Sequence, residues 1–374
     1  MRIAFGDFSG WDFHAGSVET MPLGGSQSAA CYLARALASH HEIFFITHTA
    51  APGRYADVTC LSWAQRPVDS LKALHLDAFV CVPGSGNGEL LRDALGPETR
   101  LVLWTQHRID QHAVQSLAEP SESDSYDGFV FVSEWQREEF CLGFGLAAAR
   151  TQVLGNGVAP AFADLFPEGQ AILAQKAAPP VLAYTSTPFR GLNLLVEAFP
   201  AIRSQIPEVR LRVFSSMAVY QETPAADQAR FGALYQRCRQ TPGIEYVGSL
   251  PQPALAREMR EVAVLAYPNT FPETFCIAAL EAMASGCRIV TSVQGALPET
   301  TAGFAELIPV GSNRSPDVRE FAERTADVLR KMQSADPAVE ELLQRQVQYV
   351  RQNATWTVRA AQWEKWLRAI SAAN

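Results

Sequence analysis

At 374 residues the chain has room for two domains, and its 48% hydrophobic and 19% charged residues fit a soluble globular protein and no other compositional class. A formal charge of −8 argues against a general nucleic-acid binder, whose non-specific affinity comes from neutralised phosphates, although a local basic pocket stays open. Seven cysteines, an odd count with no C-x-x-C pair, read as reduced core residues rather than a disulfide or zinc framework.

The N-terminal "MRIAFGDF" is a first strand without a signal-peptide layout, and no apolar run approaches the ~18 residues of a membrane span. A cytoplasmic protein is expected. Strand-like runs follow at 3–8, 43–47, 78–82, 101–104 and 128–132, with helical stretches such as 26–38 between several of them. That alternation predicts a parallel sheet covered by helices. In "MPLGGSQSAACYLARAL", Gly24 and Gly25 stand directly before a helix, where backbone can approach a ligand and the helix start favours an anion. The spacing is not G-x-G-x-x-G and the loop is long for a dinucleotide fingerprint, so a flexible turn is the competing reading. "GSGNG" (84–88) is a loose glycine loop, and "SESDSYD" (121–127) reads as a solvated polar loop. His107, just past the apolar strand of "LVLWTQHRID", is a candidate functional histidine against the usual structural one. The Ala- and Pro-rich stretch 158–180 reads as an interdomain linker containing a short helix.

The second half restarts the pattern, with strands at 181–185, 210–214, 245–247, 262–268, 288–292 and 307–310 and helices at 192–206, 227–240 and from 317 onward. Two domains result, 1–165 and 166–355, followed by a last helix, 356–374, whose Trp356, Trp363 and Trp366 suggest that it packs back on the first. In "YTSTPFRGLNLL", Arg190 and Gly191 lie between a strand end and a helix, where a guanidinium can bind phosphate or pair with a nearby acid. "FPETFCIAALEAMASGC" reads as loop and then helix at 277–285, with Thr274 as cap and Gly286 as the C-terminal stop. Glu273 then sits at the carboxyl edge of the sheet, where open α/β folds bind ligands, and Glu281 lies about one turn into the helix on a face that is not fully solvated. If the carboxyl edges of the two sheets face each other, the cleft between them suits a ligand with two ends. No strand ends in Asp-x-Asp, no His cluster has metal-ligand spacing, and neither a P-loop nor a G-x-S-x-G elbow occurs, so no metal site is expected.

Taken together, "PLGGSQSAACYLARALA", "FVSEWQ", "VLGNGV", "FRGLNLLVEAF", "YVGSL", "PETFCIAALEAMASG" and "GALPE" resemble, in order, the retaining nucleotide-sugar glycosyltransferases of family 4. The resemblance implies the GT-B architecture: α/β, with two facing Rossmann-like domains and a cleft between them. It implies that Glu281 holds the ribose of the donor and that Glu273 lies beside the transferred sugar, with Phe275, Cys276 and Ile277 near sugar and diphosphate. Arg190 stands where the family usually has a phosphate-binding lysine, followed by Gly191. Gly24 and Gly25 match the diphosphate-side loop, His107 a histidine near the reacting face of the sugar, and 246–250 (Val247, Gly248 and Leu250 among them) the surroundings of the nucleobase. Glu273, His107 and Arg190 are thus the implied catalytic set. Three positions depart from the pattern: an arginine expected shortly before position 190 is missing, Cys276 replaces a common glycine, and Gln27 a common glutamate.

The implied reaction moves a hexose-type sugar from a nucleoside diphosphate with retention, without metal and without a cofactor beyond the donor. Its acceptor is a sugar, a glycan, a lipid-linked species or a protein, and no nucleic acid takes part. A sugar-nucleotide epimerase and a non-catalytic sugar-nucleotide-binding subunit are the alternatives. Helix 26–38 carries only Arg35, so a basic membrane-docking face is missing there; peripheral attachment at the inner face of a membrane is left open.

Overall fold

A computed structural model describes residues 1–334 and 336–372. The chain divides into two compact units: Met1–Thr20, Gly24–Gly157 and the helix Trp356–Ala372 form the first, Met21–Leu23 and Val158–Thr355 the second.

The first unit is built on β1 (Arg2–Asp7), β2 (Glu42–Thr47), β3 (Gly53–Tyr55), β4 (Val58–Ser62), β5 (Ala78–Val82), β6 (Arg100–Trp104), β7 (Gly128–Phe131) and β8 (Thr151–Val153). They lie in the order β3-β4-β2-β1-β5-β6-β7-β8, all neighbours parallel except β3 with β4. Strands buried on both faces need continuous apolar runs, and these have them: Ile3, Phe5, Phe45, Phe79, Leu103 and Phe129 are wholly inside. The sequence misses β3, β4 and β8, which are short and partly polar. The tryptophans of the last helix find aromatic partners within this unit. Trp363 meets Trp104 edge-on at 5.0 Å, and Trp356 stacks with Tyr32 at 6.4 Å.

The second unit holds β9 (Val181–Tyr184), β10 (Arg210–Val213), β11 (Ile244–Tyr246), β12 (Val264–Tyr267), β13 (Arg288–Ser292) and β14 (Ala305–Ile308). Their order is β11-β10-β9-β12-β13-β14, parallel throughout. The chain builds outward from β9 to β11 and then returns to β9's other side as β12. Connections on the two sides run to opposite faces, which opens a crevice beyond the carboxyl ends of β9 and β12. The first unit has the same switch between β1 and β5.

The stretch 158–180 contains the expected short helix, Pro160–Ala163, but it is part of the second unit: it buries Phe162, Phe166 and Ile172, and gives the N–H groups of Ile172 and Leu173 to the Glu340 carboxylate at 2.8 Å. Two local expectations need correcting. Residues 121–127 are mostly helical (Pro120–Ser125) and bury Glu122, because its carboxylate satisfies backbone donors of the 84–88 loop. The helix after Glu273, Ile277–Ala284, is capped by Cys276 with no side-chain bond, not by Thr274.

Candidate functional site

In the second unit the loop after β9 turns sharply at Gly191, whose φ of 114° is open to glycine but not to ordinary residues. A Cβ there would lie 2.1 Å from the Pro268 carbonyl oxygen, so the turn closes directly over the end of β12. This contact brings together Arg190 and Glu273, 83 residues apart in sequence. Gly191→Ala is therefore expected to cost ~3 kcal/mol or more through strain and overlap, and to separate the pair. Thermal unfolding of the variant checks it; an unchanged midpoint would mean that the turn tolerates a side chain.

Arg190 donates from Nη1 to both carboxylate oxygens of Glu273, each at 2.8 Å, while the Tyr267 hydroxyl donates to Oε1 at 2.5 Å. Burial alone would lower the guanidinium's pKa, but the Glu273 carboxylate overrides it and raises it, so Arg190 stays charged. Its plane also lies over the Phe271 ring, 4.6 Å from the centroid. Pairing with an acid, one of the two readings open for Arg190, is thus what the structure shows, although the arginine is mostly buried rather than on the surface. The pairing leaves Nε of Arg190 buried without a hydrogen-bond partner. Hydroxyls of Thr185, Thr187 and Ser215, past the ends of β9 and β10, are in the same condition. Buried polar groups are rarely left unpaired, so this concentration at one sheet edge marks a place for a polar ligand.

The Glu273 backbone is held by a loop that the sequence identified only as "GALPE". A Cβ on Gly295 would lie 2.3 Å from the Glu273 carbonyl oxygen, and Ala296 N–H donates to that oxygen at 2.7 Å. Gln294 anchors the same stretch by donating to the Asn269 carbonyl at 2.8 Å.

Glu281 is buried in the helix Ile277–Ala284. Burial pushes its pKa up to about 8, opposed by a hydrogen bond with Gln252. Gln252 opens the helix Gln252–Met259, two residues past Leu250, so Glu281 is tied to the loop after β11. In that loop Val247 is exposed, Leu250 half-buried, and Gly248 adopts a φ of 86° with open space where a side chain would be. Phe275 and Ile277 are half-buried beside the buried Cys276, whose thiol pKa is raised by burial. From β12 to β11 is three strand spacings, roughly 14 Å.

In the first unit Gly24 caps the helix Gly25–Leu37 at the carboxyl side of β1. Gln27 donates to the buried Asp7 carboxylate at 3.2 Å, which a glutamate at this position could do only when protonated. His107 is half-buried, with Nδ1 3.1 Å from the Pro83 carbonyl oxygen. A carbonyl only accepts, so Nδ1 carries the proton and Nε2 is the free acceptor. Burial lowers the pKa and the Pro83 bond opposes it, leaving the ring neutral near pH 7. The 84–88 loop beside Pro83 is no anion site, because Glu122 already occupies the N–H groups of Gly86 and Gly88 at 2.6 and 2.9 Å. Among the described residues no three His, Cys, Asp or Glu gather as a metal site, and no helix is long and apolar enough to cross a membrane.

Residues 179–331 match the family model described as glycosyl transferases group 1. The matched stretch lies within the second unit. Solved structures resemble the chain over its whole length. A glycosyltransferase from Rickettsia africae is 12% identical at a TM-score of 0.71, covering 100% of this chain and 99% of that one. Sucrose-phosphate synthase from Thermosynechococcus elongatus is 19% identical at 0.70, with 100% of both chains covered. HepE from Anabaena, in complex with UDP-glucose, is 16% identical at 0.68, covering 99% and 100%. At such identities the likeness establishes the fold, which is that of the GT-B glycosyltransferases. No curated protein matches in sequence.

The sequence singles out Arg190, Gly191, Glu273 and Cys276, and the structure places these four around one crevice. It overlooks Tyr267, Gln252 and Gly295. Tyr267 had a signal: a tyrosine ending a buried strand must find a partner for its hydroxyl.

Proposed function

We propose that this protein is a retaining glycosyltransferase of family 4 that moves a hexose-type sugar from a nucleoside diphosphate to an acceptor. The observation that carries the proposal is the Arg190–Glu273–Tyr267 cluster at the switch point, with unpaired Arg190 Nε and threonine hydroxyls beside it. A diphosphate supplies the acceptor oxygens those donors lack. Ribose is assigned to Glu281, the base to the loop of Val247, Gly248 and Leu250, and sugar and diphosphate to Phe275, Cys276 and Ile277. Gly24, Gly25 and His107 of the first unit are assigned to the diphosphate side and the reacting face of the sugar, His107 offering Nε2 to a hydroxyl.

Both oxygens of Glu273 are engaged by donors, which makes this carboxylate a poor nucleophile. Retention then comes from attack on the face the diphosphate leaves. The bond from the anomeric carbon to phosphate oxygen breaks, the acceptor oxygen bonds to that carbon, and the departing phosphate takes the acceptor's proton. Glu273 steadies positive charge growing on the sugar, while Arg190 steadies negative charge on the diphosphate. The acceptor is a sugar, glycan, lipid-linked species or protein, and the protein works in the cytoplasm with no cofactor besides the donor.

Incubation with UDP-, GDP- and ADP-hexoses, with and without acceptor glycans, tests this reading. Acceptor-dependent release of nucleoside diphosphate, with an α-linked product from an α-linked donor, is expected. Isomerised donor would indicate an epimerase, and binding without turnover a non-catalytic subunit. Activity should persist in EDTA; loss restored by magnesium or manganese would count against Arg190 as the charge stabiliser.

A further inference from the structure

We propose that Tyr267 is a positioning residue for Glu273, its hydroxyl setting the rotation of the carboxylate that faces the transferred sugar. The assignment rests on the transferase reading above and adds a residue to it. Nη1 of Arg190 is equidistant, at 2.8 Å, from Oε1 and Oε2. A donor so placed lies in the plane that bisects the carboxylate and treats its two oxygens alike, so the ion pair alone does not decide which of them takes a second bond. The 2.5 Å bond from the Tyr267 hydroxyl to Oε1 does. It also divides the work: Oε1 accepts from Arg190 and Tyr267, while Oε2 accepts from Arg190 alone and keeps a lone pair for a sugar hydroxyl.

The tyrosine is itself rigid. It is the last residue of β12, 1% exposed, paired in register with Thr291 and packed edge-on against Tyr184 at 5.7 Å. Its other polar neighbour, Ser186 Oγ, is 3.4 Å away, too far to compete with the carboxylate. Burial raises the phenol's pKa well above the usual range, so it remains a donor at every working pH.

Tyr267→Phe removes the hydroxyl and keeps the ring. The expected result is a kcat lower by about tenfold or more, with nucleoside diphosphate affinity changed by less than about twofold. Combined with Glu273→Ala, Tyr267→Phe should add less than about a twofold further loss, because the group it orients is gone. A structural role would instead lower kcat by the same factor in both backgrounds. Wild-type kcat in Tyr267→Phe, or equal losses in the two backgrounds, overturns the assignment while leaving the transferase reading intact. A wild-type protein that turns over no nucleotide sugar overturns both.

Discussion

Arg190→Ala is expected to lower turnover by about two to three orders of magnitude and to destabilise the second unit at the same time. On the proposed reaction, the catalytic part is the loss of a preorganised charge beside the leaving diphosphate, an effect of that order where single stabilising donors have been removed. The structural part comes from Glu273, which the substitution leaves as a buried carboxylate without its cation. Breaking a buried pair from one side costs roughly 3–5 kcal/mol. The two parts separate with further variants. Arg190→Lys restores most of the stability, because one ammonium can sit where Nη1 does, and it recovers part of the turnover; it cannot offer a second edge to phosphate as Nε does. Adding Glu273→Gln to Arg190→Ala relieves the unpaired charge and raises the unfolding midpoint, yet turnover stays low. Calorimetric midpoints and kcat for the four proteins check this. Wild-type kcat in Arg190→Ala would take the residue out of the chemistry, and an unchanged midpoint would show that the pair contributes nothing to folding.

Glu281 makes the second large effect, on pH dependence. Its carboxyl ionises near 4.5 in the unfolded chain and near 8 in the folded one, because burial disfavours the charge. Between those values the folded protein holds a proton that the unfolded chain has released. Raising the pH through this window therefore weakens the fold, by about 1.4 kcal/mol per pH unit from this group, and the loss levels off above about pH 8. Glu281→Gln lacks this slope, so its midpoint should rise relative to wild type between pH 5 and 8. Nucleotide binding runs the other way. Ribose hydroxyls donate to an ionised carboxylate better than to a neutral one, so affinity for UDP should tighten as pH rises toward 8, by up to about tenfold per unit, with release of a proton. Titration calorimetry in buffers of different ionisation enthalpy measures that proton directly. Equal proton release in wild type and Glu281→Gln would place the ribose elsewhere.

The strands and helices of both sheets were legible because burial leaves a local trace. "VAVLAYP" and "RIVTS" are apolar because β12 and β13 are covered on both faces, and the Ala- and Leu-rich neighbours of Glu281 pointed to a face that is not fully solvated. Motifs in the order found in GT-B glycosyltransferases point to the fold, and the strand pattern alone puts Gly191 and Glu273 at a carboxyl edge. What the sequence by itself could not determine was pairing across distance. The edge strands β3 and β8 have three residues each, too few for a period of two to show, while β4, second from the edge, mixes Thr59 and Ser62 into its five; all three exist because a neighbour offers hydrogen bonds. Glu122 looked solvated until the glycine loop 36 residues away claimed its carboxylate. Arg190 had two open readings, phosphate or acid, and strand order decided which partner it meets in the folded chain. Because β12 returns to lie beside β9, the loops after those strands share one crevice, and Arg190, Glu273 and Tyr267 meet there. Composition and periodicity report how deeply each segment is buried, whereas the direction of a side chain at a loop depends on which strand folds next to it.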